Sequence, residues 1–99
     1  MVEVKWTNQA LDDIDNIAEY IAKDSVKYAK IQTERFFSIT EILLTQPKSG
    51  RVVPETKKPN IRELILGNYR IIYKYVNSKR VDILTVHHSA RQIKKSKLK

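Results

Sequence analysis

Two side chains that could act together on a phosphate group, Arg70 and His87, lie in two strand-like stretches near the end of the chain. These stretches, 69–76 and 80–88, are separated by a short turn and predict an antiparallel pair whose register places Arg70 opposite His87. An arginine can hold a phosphate and stabilise its charge in a transition state, and a histidine can transfer a proton near neutral pH. The pair therefore predicts metal-free cleavage of RNA through its own 2′-hydroxyl, although the same side chains could instead form a cross-strand hydrogen bond that only supports the sheet.

The alternation of side chains along these strands predicts two different faces of a sheet. One face is apolar and is expected to pack against helices; it carries Leu64, Leu66, Tyr69, Ile71, Tyr73, Leu84 and Val86. The other face is mixed and is expected to be the exposed working surface; it carries Glu63, Arg70, Lys74, Thr85 and His87 among Ile61, Ile65, Ile72 and Ile83. A single bulge would exchange the faces of the residues that follow it.

The elements that position this surface follow from the hydrophobic pattern. Residues 2–6 alternate as a strand, and a helix capped by Thr7 or Asn8 follows, with Asp12 and Asp13 expected near its positive end. A second helix starts at Asp24-Ser25 and must end near Gln46-Pro47. Strands are predicted at 51–55, 61–66, 69–76 and 80–88, with a two-residue hairpin turn at Gly67-Asn68.

This order predicts an α+β fold. It consists of an N-terminal strand, an antiparallel helix hairpin and a three- to four-stranded antiparallel sheet, with the first strand joining the sheet and the helices on one face. We expect residues 1–99 to form a single domain that ends in a basic tail at 90–99.

Composition narrows the classes of function. The chain has 99 residues, a net charge of +8 and no cysteine, which excludes disulfides and thiolate metal sites. The adjacent histidines would point to opposite faces of a strand, so we expect no metal site and no cofactor. Without a signal peptide or a membrane-spanning stretch, we expect a cytoplasmic protein, and the basic excess favours a polyanionic partner.

The order of several motifs resembles that of the RelE/ParE superfamily of bacterial toxins. In the second half these motifs are GRVVPE, NIREL, GNYRIIY and VDILTVHHSAR, and in the first half they are KWTNQA and LDDIDNIAEYIA. The resemblance covers residues 2–93. It implies two helices against a small antiparallel sheet and a cognate antitoxin that wraps around the toxin.

The resemblance also implies roles for individual residues. Glu55 looks like the glutamate of the YoeB-type site, a general base, and Arg62 and Arg70 look like its two phosphate-binding arginines. His87 or His88 takes the place of the last-strand histidine, a general acid, and Arg91 lies close to a late arginine of RelE. Register places Arg62 on the face opposite Arg70, and the tail lacks the terminal tyrosine of RelE. The basic residues expected to bind substrate are Arg51, Lys74, Lys94 and Lys95.

Two activities occur in this superfamily. RelE-like members cut mRNA on the ribosome, whereas ParE-like members poison DNA gyrase. The basic excess and the Glu–Arg–His set favour a ribosome-dependent endoribonuclease whose partners are the antitoxin, the ribosome and mRNA. A gyrase inhibitor is the first alternative, and a non-catalytic RNA- or ribosome-binding module is the second.

Overall fold

The computed structural model describes residues 1–89 of the chain. In chain order its elements are β1 (Glu3–Trp6), α1 (Asn8–Ala22), α2 (Val26–Ile39), a 3₁₀ helix (Thr40–Leu44), β2 (Arg51–Val52), β3 (Ile61–Leu66), β4 (Tyr69–Asn77) and β5 (Arg80–His88). The predicted basic tail at 90–99 lies outside the described residues. None of the helices within residues 1–89 is long and apolar enough to cross a membrane.

The five strands form one sheet in the order β1-β5-β4-β3-β2. The N-terminal strand β1 runs parallel to β5, with Glu3 beside Arg80 and Trp6 beside Ile83. All other neighbouring strands are antiparallel. The predicted α+β architecture is confirmed, including the union of the first strand with the sheet.

Both helices begin at the hydroxyl caps that the sequence predicts. The Thr7 side chain accepts a hydrogen bond from the backbone N–H of Ala10 at 3.2 Å and donates one to the Ile83 carbonyl at 2.7 Å. The Ser25 side chain accepts from the N–H of Tyr28 at 3.0 Å. Thr7 therefore starts α1 and also fixes it to the edge of β5 where β1 ends.

The second helix ends earlier than the predicted limit near Gln46-Pro47. The α-helix stops at Ile39, and the chain tightens into a 3₁₀ helix over Thr40–Leu44. The Thr40 hydroxyl donates to the Phe37 carbonyl at 2.8 Å. A hydroxyl that bonds to the preceding turn competes with the regular backbone ladder, which accounts for the change of helix type.

The helix-facing side of the sheet holds the main hydrophobic core. Phe36 from α2 meets Tyr69 edge-to-face, with ring centroids 5.2 Å apart. Ile71 and Tyr73 are fully buried there, and the Tyr73 hydroxyl accepts a hydrogen bond from the Gly50 N–H at 2.9 Å. A Cβ at Gly50 would lie 2.6 Å from the Glu63 carbonyl oxygen, so only glycine fits this approach.

A bulge corrects the predicted pairing of the last two strands. The β3–β4 register is as predicted, and so are the first pairs of β4 with β5, including Arg70 with His87. The register then shifts, so that Tyr73 lies opposite Ile83 and not Leu84. As a result Ile83 joins the helix-facing core, whereas Leu84 packs on the opposite side of the sheet.

The face that the sequence predicts as exposed is instead largely covered. Strand β2 ends at Val52, short of the predicted Glu55, and the segment 53–60 turns across this face. Val53 is completely buried against Ile61 and Ile72, and its carbonyl accepts from the Thr56 N–H at 3.2 Å. Glu63, Arg70, Thr85 and His87 on this face are all buried, and Glu55 of the covering segment bonds to Arg70.

Candidate functional site

Arg70 is the centre of a charged cluster on the covered face. It projects from β4 and is only 7% exposed. Its Nε donates to Glu63 Oε1 at 2.5 Å, and its Nη1 and Nη2 donate to the two carboxylate oxygens of Glu55 at 2.7 and 2.9 Å. Every nitrogen of the guanidinium therefore already has a carboxylate partner.

Glu63 joins this arginine to a second one. Its carboxylate is fully buried and accepts from Arg51 Nε at 2.5 Å as well as from Arg70. Arg51 lies on the edge strand β2, opposite Glu63, and its side chain is 63% exposed. The four residues form a charge-balanced network of two arginines and two glutamates, which offsets the cost of burying the inner pair.

The electrostatics of the network fix the ionisation of Glu55. The hydrogen bonds from Arg70 lower the pKa of Glu55 from its ordinary value of 4.5 to about 2. The same bonds raise the pKa of Arg70 above its ordinary value. A carboxylate with so low a pKa is a weak general base at neutral pH, because it holds a proton poorly.

His87 lies opposite Arg70, as the register predicts, and is 8% exposed. Its Nε2 is 3.3 Å from the hydroxyl oxygen of Thr85, which is hydrogen-bonded to a carboxylate oxygen of Asp13. The sequence analysis expected Asp13 near the positive end of α1. In the structure no acidic residue lies in the first turn, and Asp13 reaches β5 instead.

An open cleft of about 660 Å³ borders the charged cluster. Arg51, Glu55, Ile65 and Arg70 contribute to its lining. Of its charged residues, Arg51 and Glu55 have the more exposed side chains, at 63% and 37%, whereas the side chain of Arg70 is 9% exposed. A ligand in the cleft would therefore find Arg51 and Glu55 more accessible than Arg70.

Other predicted site residues lie away from this cluster. Arg62 points to the opposite side, where its Nη1 donates to the Gly50 carbonyl at 2.8 Å. His88 is exposed, with its ring 5.5 Å from that of Tyr69. Lys74 is four residues farther along β4 than Arg70, about 13 Å at the rise of a strand.

Three predicted site residues belong to the part of the chain beyond residue 89. These are Arg91, Lys94 and Lys95, all of which lie outside the described residues. Of the 19 lysines and arginines in the chain, five occur in the last ten positions, where there is no acidic residue. Residues 1–89 thus hold fourteen basic against eleven acidic side chains, a much smaller excess than that of the whole chain.

Comparison with known proteins identifies the family. The sequence pattern of the ParE toxins, from the ParDE type II toxin–antitoxin systems, matches residues 4–93. The chain belongs to the ParE toxin family. The resemblance to the RelE/ParE superfamily that the sequence analysis described is thereby confirmed.

Two curated relatives of this ParE-family chain are also named as toxins. A candidate toxin of Sinorhizobium fredii, Y4kP, is 37% identical over 89 residues, which cover 90% of each chain. Toxin RelE2 of Caulobacter vibrioides is 32% identical over 91 residues, covering 92% of this chain and 99% of the relative. One of these relatives thus carries a RelE name, whereas the matching family is that of the ParE toxins.

Solved structures share the fold of this ParE-family chain. The chromosomal ParDE system of P. aeruginosa gives a TM-score of 0.72 at 23% identity, covering 89% of this chain and 96% of the other. The RelBE2 toxin–antitoxin complex of Mycobacterium tuberculosis gives a TM-score of 0.53 at 20% identity, covering 88% and 96%. At these identities the likeness concerns the fold alone.

Two functional candidates of this ParE-family chain do not follow from the sequence. The pattern places Glu63 on the working face without a role, and it proves to be the carboxylate shared by both arginines of the cluster. Asp13, outside the cluster, is predicted only as a charge near the end of a helix. Its contact with Thr85 joins residues 72 positions apart, and no local pattern in the sequence indicates such a contact.

Proposed function

We propose that this ParE-family toxin inhibits growth by binding DNA gyrase, and not by cutting mRNA. The observation that carries the proposal is the engagement of all three guanidinium nitrogens of Arg70 by Glu55 and Glu63. Arginine commonly holds a phosphate through two parallel N–H donors, and here Nη1 and Nη2 of Arg70 are both bonded to Glu55. The buried arginine of the cluster is therefore already neutralised by carboxylates, as expected of a group that supports the sheet.

The chemistry of the other members of the cluster supports the same proposal. Glu55, with a pKa of about 2, is poorly matched to removing a proton from a ribose hydroxyl. His87 is buried beside Thr85 and is not among the residues that line the cleft. Much of the basic excess lies in the last ten positions of the chain, outside the described residues.

The family assignment points in the same direction. The matching family is that of the ParE toxins, and ParE-like members of the superfamily are the gyrase poisons. We further propose a cognate antitoxin as the partner of this chain, since the similar solved structures are toxin–antitoxin systems. An acidic or amphipathic antitoxin segment would complement a chain with a net charge of +8.

Ribosome-dependent mRNA cleavage is the second candidate. The observation in its favour is the pairing of Arg70 with His87 on adjacent strands beside a cleft. The 32% identity to toxin RelE2 is consistent with it. This activity requires Glu55 to leave Arg70 when RNA binds, so that a phosphate takes the place of the carboxylate.

A paired assay with purified toxin, freed from antitoxin, tests the proposal. One arm measures supercoiling and double-strand breaks produced by gyrase, and the other measures cleavage of mRNA at the A-site codon of programmed ribosomes. We expect an effect in the gyrase arm alone. Cleavage in the ribosome arm with unaffected gyrase would overturn the proposal in favour of the second candidate.

The Glu55→Gln variant distinguishes the two activities further. Its matched control is Glu41→Gln, at an exposed glutamate on the 3₁₀ helix. A gyrase inhibitor should keep its potency in both variants. A nuclease should change its cleavage rate in Glu55→Gln alone, because that variant alters the partner of Arg70 and removes the general base.

A further inference from the structure

We infer that Asp13, acting through Thr85, holds the proton of the neutral His87 imidazole on Nε2. Asp13 is thus a positioning residue for the histidine, although it lies on helix α1 and His87 on strand β5. The inference rests on hydrogen-bond geometry, and it holds whether the toxin acts on gyrase or on mRNA.

The carboxylate of Asp13 receives hydrogen bonds from three directions. Its Oδ1 accepts from Gln9 Nε2 at 2.8 Å, and its Oδ2 accepts from the backbone N–H of Val86 at 3.0 Å. Its Oδ2 is also hydrogen-bonded to the hydroxyl of Thr85. A carboxylate oxygen accepts hydrogen bonds, so the hydrogen shared by Asp13 and Thr85 comes from the hydroxyl.

The direction of the hydrogen bond between Thr85 and His87 follows from the number of hydrogens available. A threonine hydroxyl has one hydrogen, and the bond to Asp13 uses it. The Thr85 oxygen can then only accept from its other neighbour, His87 Nε2, which lies 3.3 Å away. His87 is therefore the donor in this contact and carries hydrogen on Nε2.

The edge of the sheet explains why Asp13 occupies this position. Strand β1 pairs with β5 only as far as Ile83, and Thr7 bonds to the carbonyls of Ile83 and Leu84 just beyond. Asp13 lies farther along α1 and satisfies the N–H of Val86 on the same edge. Side chains at the start of α1 thus bond to the part of the β5 edge that β1 does not cover. This docking of α1 against β5 sets the orientation of Thr85.

Nitrogen NMR of the imidazole provides the test. The chain has two histidines, so a His88→Gln background with no purification tag leaves His87 as the single imidazole. At a pH where the imidazole is neutral, we expect Nε2 at the pyrrole-type shift of a protonated nitrogen. Nε2 at the pyridine-type shift would overturn the inference.

Variants of Asp13 and Thr85 test whether Asp13 positions the proton of His87 or only stabilises the fold. Asp13→Ala releases the Thr85 hydroxyl to donate to Nε2, so we expect the Nε2 signal to move toward the pyridine-type position. Asp13→Asn and Thr85→Ser keep the required oxygens and should retain the pyrrole-type shift. Asp12→Ala, a neighbouring exposed carboxylate, is the matched control and should leave the signal unchanged.

Folding of each variant is checked from its backbone amide spectrum. Thr85→Val provides a second measurement if Asp13→Ala does not fold, because it removes the hydroxyl and keeps the carboxylate. We expect Thr85→Val to show a mixture of both tautomers. An unchanged Nε2 signal in a folded Asp13→Ala or Thr85→Val protein would overturn the inference.

Discussion

The two sides of the central sheet are both buried, but they are held by different forces. On the helix-facing side, Phe36, Ile71 and Tyr73 pack without any charge. On the other side, Glu63 and Arg70 are buried as ions under the segment 53–60. Apolar packing tolerates small adjustments of its neighbours, whereas a buried ion depends on the specific partner that neutralises it.

This difference indicates how each side of the sheet should respond to substitution. The apolar side is closed by two helices, which together present many side chains to the sheet. The charged side is closed by a short irregular segment, which is joined to the sheet by the ion pair of Glu55 with Arg70 and by backbone hydrogen bonds, among them those from the Val53 N–H to the Ile61 carbonyl and from the Tyr75 N–H to the Asn60 carbonyl. A substitution on the apolar side can therefore be partly accommodated by shifts of neighbouring side chains, whereas a substitution on the charged side leaves an ion without its partner.

Phe36→Ala should have the largest effect. It removes a fully buried ring from the helix-facing core and should lower the free energy of unfolding by about 3–5 kcal/mol. Urea denaturation measures the loss. Phe37→Ala, at the next position but 40% exposed, should cost less than half as much, and equal losses would contradict the assigned core.

Glu63→Ala should follow closely, with a loss of about 3 kcal/mol, because it leaves the buried Arg70 with one carboxylate fewer. The double variant Glu63→Leu/Arg70→Met replaces the buried ions by apolar groups of similar size and should recover most of that stability. Urea denaturation of the single and double variants measures both. A double variant less stable than Glu63→Ala would contradict the conclusion that the stability of the charged side depends on the pairing of its ions.

Tyr73→Phe tests the polar contact at the border of the apolar side. The change leaves the buried N–H of Gly50 without its acceptor and should cost about 1–2 kcal/mol in thermal or urea unfolding. Tyr20→Phe removes a hydroxyl from a side chain that is 73% exposed and should have no measurable effect. Similar losses in both would argue against the bond to Gly50.

Acid should weaken the charged side through Glu55. Its pKa is about 2 in the folded protein and 4.5 ordinarily, so its contribution is present above pH 4.5 and is lost as the pH falls toward 2. Because the side chain is 37% exposed, we expect only about 1 kcal/mol. The wild type and Glu55→Gln should differ in urea midpoint at pH 7 and converge in acid, whereas Glu41→Gln should follow the wild type throughout.

Local patterns in the sequence predicted much of the fold. The bounds of β3 and β5, the Gly67-Asn68 turn and the caps at Thr7 and Ser25 agree with the structure. These features depend on neighbours in the chain, for which periodicity and turn chemistry are informative. The pairing of Arg70 with His87 also followed, because the bulge lies beyond that pair.

The features that the sequence did not reveal depend on contacts between distant or irregular segments. The cover over the charged side comes from residues 53–60, which have no periodic pattern. The bulge at Leu84 exchanges the sides of Ile83 and Leu84 without a glycine or proline to mark it. Asp13 and Thr85 meet only because α1 docks on the edge of β5.

The position of β1 has a consequence for the order in which the protein is made. Its only neighbour in the described sheet is β5, which is the last strand of residues 1–89 to leave the ribosome. Until β5 emerges, the N-terminal strand has no partner, and the apolar faces of α1 and α2 have only an incomplete sheet to cover. The pairing of β1 and the closure of the core over the sheet therefore follow the synthesis of residues 80–88, after both helices and the β3–β4 hairpin have already been made.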